Sequence, residues 1–194
     1  MAPPLLRRKV ACVGGGAVGK SALVQMFTSH GTKFPKTYAM TVGVELQHKI
    51  VQLEADDDAA VQSRANVELF LIDSAGHSIF DEMMPTLHAD VAAVVLVYDA
   101  TRAHTLHECA AKYQAVLDAV RKPRLPGALV ANKVDLQERL AVSRDEGRAF
   151  ADHLGMGYFE VSAKEGGGVE APFRSVAHER VKAADDDESA PMAA

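Results

Sequence analysis

The chain has 194 residues, enough for one domain with a hydrophobic core and too few for two ordinary ones. Apolar residues make up 48% of it and charged residues 24%, the balance of a soluble globular protein and not of a disordered or membrane one. A formal net charge of −5 weighs against nucleic acid, and against an anionic membrane surface, as the main partner. The opening MAPPLLRRK has no apolar run of signal-peptide length, so secretion is not expected. Ala2 stands where myristoylation would need glycine. Residues 1–8 are expected to be an extension ahead of the domain.

From there strand and helix alternate. Residues 9–13 read as a strand entering the turn Gly14-Gly15-Gly16. Leu23, Met26 and Phe27 then share a helix face, and Gly31 supplies a stop. Residues 42–53 and 67–72 look extended. Between them, 54–65 with Asp56-Asp57-Asp58 is acidic and irregular, the composition of a solvated loop. Residues 91–98 are continuously apolar but far too few to span a bilayer, as expected of a central strand buried on both faces. Leu106, Ala110, Tyr113, Leu117 and Val120 repeat at helical spacing.

Residues 128–131 form a short buried strand, Ser143 can cap a helix running to about Leu154, and 158–161 is the last strand. Pro172 suits the first turn of a closing helix whose buried face carries Phe173, Val176, Ala177 and Val181. Residues 184–194 are expected to be a disordered acidic tail, leaving 9–183 as the domain. The tail holds no cysteine, so no prenyl or other lipid anchor is expected. Cys12 and Cys109 have no metal-like spacing and read as reduced, packed thiols of a cytosolic protein. The alternation predicts an α/β fold, with a six-stranded, mainly parallel sheet between about five helices.

The strongest local signal is Gly14-Gly15-Gly16-Ala17-Val18-Gly19-Lys20-Ser21, a complete GxxxxGK[ST] between a strand and a helix, with Ala22 following. Small residues let backbone N–H groups wrap phosphates, and the helix N-terminus adds partial positive charge. Lys20 would reach the β- and γ-phosphates, and the Ser21 hydroxyl would ligate Mg²⁺. By itself the loop says only that a nucleoside triphosphate binds.

Base identity comes from Asn132-Lys133-Val134-Asp135 at a strand end. A carboxylate at Asp135 can accept from guanine N1–H and its 2-amino group, a pairing that adenine lacks. Lys133 would lie along the base, and Ser162-Ala163-Lys164 would bring backbone N–H groups near the guanine oxygen. Asp73-Ser74-Ala75-Gly76 is a DxxG sequence closing a strand: Asp73 would hold Mg²⁺ through water and Gly76 N–H would meet the γ-phosphate. Thr41 is the candidate switch threonine, completing the Mg²⁺ shell when three phosphates are present. The seven histidines besides His77 show no metal-ligand spacing, and His104 and His107 read as solvent-facing.

With these motifs in order, residues 9–182 resemble the Ras superfamily, which implies a three-layer G domain, GTP or GDP with Mg²⁺ as ligands, and GTP hydrolysis. Tyr38-Ala39-Met40-Thr41-Val42-Gly43-Val44-Glu45 looks most like the Rab branch, which implies Phe34 beside the guanine and Tyr38 over the phosphates. The stretch Ser21 to Ser29, Lys33-Phe34, Tyr38 to Thr41 and Ala171-Pro172-Phe173 narrow the likeness to the Rab-like GTPase family of intraflagellar transport.

That likeness implies a subunit of transport complex B, without a prenylated C-terminus. It also implies a small β-sandwich partner of the same complex, and a place in the cytoplasm and the cilium or flagellum. One departure stands out: His77 occupies the position after DxxG where the family usually has the glutamine that orients water. This implies slow hydrolysis. Two other readings stay open, a vesicle-trafficking Rab and a nucleotide-bound structural module. The tail without cysteine weighs against the first, and Asn132 to Asp135 weigh against an ATP-dependent kinase or motor.

Overall fold

The computed structural model describes residues 5–37, 39–53, 65–76 and 82–188, the last nine as backbone only. The elements are β1 (Leu5–Val13), α1 (Lys20–Thr28), β2 (Val44–Leu53), β3 (Ala65–Ser74), α2 (Met84–His88), β4 (Ala93–Asp99), α3 (His104–Val120), β5 (Gly127–Asn132), α4 (Arg144–Leu154), β6 (Gly157–Val161) and α5 (Glu170–Glu188), with a 3₁₀ turn at Gln137–Arg139. The six strands form one sheet in the order β2-β3-β1-β4-β5-β6. Only the β2–β3 pair is antiparallel, so β2 is an antiparallel edge on an otherwise parallel sheet. The expected mixed six-stranded α/β architecture is the one observed.

β4 explains why the sheet is central. Ala93, Val95 and Val97 point into one core, while Val94, Leu96 and Tyr98 point into the other. A strand packed on both faces must be apolar at every position, which is why 91–98 carries no alternation. On the first face Leu23 and Phe27 of α1 meet Phe173 and Val176 of α5 across the sheet edge. The Phe27 and Phe173 rings stack with centroids 4.0 Å apart. Phe173→Ala should lower stability by about 3–5 kcal/mol, read as a shift in the urea midpoint. A shift under 1 kcal/mol would mean that the stack collapses without cost.

Several boundaries differ from expectation. β1 starts at Leu5, so residues 5–8 are strand and not extension: they pair in parallel with Asn66 to Leu69. Arg8 hid this, because it is buried and sends its guanidinium to the carbonyls of Val176 and Ala92. On α3 the buried stripe runs through Leu106, Cys109, Tyr113, Val116 and Leu117, and Ala110 is exposed. Alanine fits either side of a helix, and Cys109 packs as a small hydrophobe. Cys12 is likewise fully buried. α5 continues to Glu188, five residues into the expected tail, since extending a nucleated helix through Ala183 and Ala184 costs little.

The segments 54–64 and 189–194 lie outside the described residues. Ser143 does cap α4, accepting from Glu146 N–H at 3.2 Å. Among the described residues no helix is long and apolar enough to cross a membrane.

Candidate functional site

Loops after β1, β3, β5 and β6 meet at one end of the sheet, where parallel strands deliver their C-termini and the strand order reverses around β1. Those after β1, β3 and β5 line a cleft of about 500 Å³ that includes Gly16, Ala17, Gly19, Lys20, Ser21 and Ala22. Gly14 makes the tight approach possible: a Cβ there would sit 2.1 Å from Val97 O on β4. Gly19 has φ +100 and opens α1, with Asn132 Nδ2 where its Cβ would be. Among the described residues the backbone N–H groups of Gly15 to Gly19 donate to no protein acceptor. A row of such donors at a helix N-terminus suits an anion with several oxygens.

Lys20 is buried and folds back so that Nζ donates to Gly14 O at 3.0 Å and Gly15 O at 2.8 Å. Burial pushes its pKa down to about 8, against the pull of Asp73. The ammonium therefore sits where a neighbouring anion would relieve its desolvation. A Cβ on Gly76 would meet Gly15 O at 2.3 Å and Lys20 Nζ at 2.6 Å, so the DxxG loop lies directly against the phosphate loop.

Ser21 Oγ and Thr41 Oγ1, twenty residues apart in the chain, approach to 2.8 Å. Asp73 is fully buried beside them, and neither carboxylate oxygen has a hydrogen bond of ordinary geometry. Burial raises its carboxyl to about 6, opposed by the nearby Ser21 hydroxyl and Lys20. Two hydroxyls and an orphaned buried carboxylate are hard oxygen donors that fit a small divalent cation. The three predicted metal residues thus stand together.

The base end is built differently from its motif. Asn132 is buried, donates to Val18 O at 2.8 Å and accepts from Ala163 N–H at 3.1 Å. It ties the phosphate loop to the 162–164 turn, with one amide N–H and one oxygen lone pair left over. The Ala163 N–H is taken by this clamp, while among the described residues the Lys164 N–H has no acceptor. Ser162 Oγ donates to Asp135 Oδ1 at 2.7 Å and accepts from Glu165 N–H, leaving Oδ2 without a partner among the described residues.

Lys133, in the left-handed region at φ +66, spans the cleft: Nζ donates to Ala17 O and to Asp99 Oδ2. Phe34 lines the cleft and is 41% exposed. Tyr38 and His77 lie outside the described residues.

Sequence reasoning missed Asp99, Pro35, Met40 and Glu45; Pro35 and Met40 line the cleft from the segment after α1, and Glu45 from the start of β2. Asp99 had a signal: an acid closing an otherwise apolar buried strand. Its burial works upward, but hydrogen bonds from Lys133 and Thr101 hold its carboxyl below the ordinary range.

Behind Asp73, Ser74 Oγ and His88 Nε2 lie 2.8 Å apart and both side chains are buried, which ties α2 to β3. Burial lowers the His88 pKa below 6.5. Above about pH 6.5 both states are neutral there, and below it the unfolded chain takes the proton first, so stability falls as pH drops towards the folded value. Between pH 7 and 5 the melting temperature should fall more steeply for the native protein than for His88→Asn. Equal slopes would remove His88 as the cause.

The Ras family model matches residues 9–182, which is almost all of the described chain. The chain belongs to the Ras family. As a Ras-family small GTPase it is a GTP hydrolase, and Ras-family GTPases in general bind GTP or GDP with Mg²⁺. The chain is 39% identical over 172 residues to the intraflagellar transport protein 27 homolog of Mus musculus, covering 89% of each. With intraflagellar transport protein 27 of Chlamydomonas reinhardtii it shares 40% over 176 residues, 89% of this chain and 83% of the relative. The Ras-related protein Rab-30 of Homo sapiens is 30% identical over 169 residues, covering 87% and 77%. Within the family, this Ras-like domain keeps its phosphate loop, DxxG turn and base-reading loop in one cleft.

Proposed function

We propose that the chain is a Rab-like small GTPase of the intraflagellar transport machinery, binding GTP or GDP with Mg²⁺ and hydrolysing GTP slowly. The reading rests on one observation. Relatives named for intraflagellar transport are 32–40% identical across 89–92% of this chain, against 30% across 87% for Rab-30. The partners would be other complex B subunits, among them a small β-sandwich protein, and the place of work the cytoplasm and the cilium or flagellum.

In this reading the amides of Gly14 to Gly19, with those of Lys20, Ser21 and Ala22, hold the phosphates while Lys20 Nζ neutralises them. Ser21, Thr41 and Asp73 would hold Mg²⁺, which when bound offsets charge between the β- and γ-phosphates. Gly76 N–H meets the γ-phosphate. Asp135 reads guanine, Asn132 positions the loops, Lys133 and Phe34 flank the base, Tyr38 covers the phosphates, and the 162–164 turn faces the guanine oxygen. Loss of the γ-phosphate would release Thr41 and Gly76, which changes the surface a partner meets.

His77 follows Gly76 where a carboxamide would orient the attacking water. By analogy with the loss of one transition-state hydrogen bond, the chemical step should be about 10²–10³-fold slower than with glutamine. In single-turnover assays His77→Gln should hydrolyse bound GTP faster, and an unchanged rate would take His77 out of the explanation. A pull-down from flagellated cells, comparing native protein with Thr41→Ala, should recover transport-complex subunits, more of them in the state that orders Thr41. Recovery of vesicle tethers instead would overturn the assignment.

A further inference from the structure

Besides Lys20, two further cations hold carbonyls of the phosphate loop. Arg102, just ahead of α3, donates from Nη2 to Gly16 O at 3.1 Å and from Nε to Asp99 Oδ2 at 2.9 Å. Lys133 Nζ donates to the next carbonyl, Ala17 O, at 2.8 Å and to the same Asp99 oxygen at 2.7 Å. Asp99 Oδ1 is fixed by the Thr101 amide and hydroxyl at 3.0 and 2.7 Å. One carboxylate, with its side chain 3% exposed, thereby anchors both cations. Arg102 reaches the phosphate loop through a backbone carbonyl, so the contact seen acts on the loop itself.

Between the two gripped carbonyls sits Ala17, at φ 56. Residues with a Cβ rarely adopt this left-handed conformation, so it persists only where neighbours impose it. Here the neighbours are the cations on either side. A peptide whose carbonyl accepts from a cation is also polarised, and its N–H becomes a better donor. The Gly16 carbonyl shares its peptide with Ala17 N–H, and the Ala17 carbonyl with Val18 N–H.

We propose that Arg102 is a positioning residue: through Gly16 O and the shared Asp99 carboxylate it holds the Ala17 turn and aims the mid-loop amides at phosphate, which slows nucleotide release. The inference rests on reading the cleft as a guanine-nucleotide site. Lys133 already joins the base end to the phosphate end, and Arg102 closes the ring, so base loop, β4 end and phosphate loop move as one.

The test uses the full chain loaded with mant-GDP and chased with excess GDP. Arg102→Ala should speed release by about tenfold, the size expected for one charge-assisted hydrogen bond. Arg102→Lys, which restores a cation, should recover part of that loss. The β-phosphate ³¹P resonance of bound GDP should shift in Arg102→Ala and move back in Arg102→Lys. A merely structural role would lower the melting temperature but leave the resonance and release rate in place, and that result overturns the proposal. Should Arg102→Ala fail to fold, Arg102→Gln keeps a donor without the charge and serves the same comparison. A native protein that held no GDP would overturn the site reading as well, whereas GDP held equally by native and Arg102→Ala protein overturns this inference alone.

Discussion

Asp135→Asn is expected to weaken GDP binding by about 10³-fold and to create affinity for xanthosine diphosphate in exchange. Asp135 Oδ1 already accepts from the Ser162 hydroxyl at 2.7 Å, which fixes the plane of the carboxylate and leaves Oδ2 for the base. An asparagine held the same way keeps Oδ1 on Ser162 and turns its amide N–H₂ towards the ligand. Guanine presents a 2-amino group there, so two donors would face each other with no acceptor between them. Xanthine presents a 2-oxo group, which accepts from the amide. Competition of each diphosphate against a fluorescent guanine nucleotide measures the exchange. Unchanged preference would show that Asp135 does not read the base.

Lys20→Met separates binding from folding. Lys20 is 6% exposed, and its ammonium is held by two carbonyls at 3.0 and 2.8 Å. Burial brings its pKa to about 8, the sign of a cation that folding does not favour. Removing it relieves desolvation while costing two hydrogen bonds, so the melting temperature of the nucleotide-free protein should stay within about 2 °C of native. GDP and GTP lose their buried counter-charge, and affinity should fall by about 10²–10³-fold by calorimetry. Retained micromolar affinity would mean that Lys20 does not contact phosphate. A collapse in melting temperature would mean that its bonds to Gly14 and Gly15 outweigh the cost of burial.

The motifs were legible because each depends on contiguous residues whose chemistry is local. Gly14 to Ser21 must be small, then cationic, then hydroxylated wherever a strand meets a phosphate, and Asp73 to Gly76 must end a strand with an acid. The six-stranded, mainly parallel sheet was legible for a related reason: a continuously apolar β4 and the β–α alternation leave few architectures to choose from. Arg8 and Asn132 were harder. Each takes its meaning from a neighbour far along the chain: Val176 for Arg8, and Val18 with Ala163 for Asn132. The 3₁₀ turn and the five residues of α2 escaped notice because elements so short show no period.

The sequence alone determined the family and the sheet, since a GxxxxGK[ST] run, a DxxG turn and a buried central strand are written in runs of adjacent residues. Tertiary structure alone decided which groups share an atom. It brought Ser21 to Thr41 and left Asp73 unpartnered beside them. It spent the Asn132 amide on a clamp, and it set Arg102 and Lys133 on one buried Asp99. Those pairings cross loops whose approach depends on how the whole sheet packs, and no local pattern carries that information.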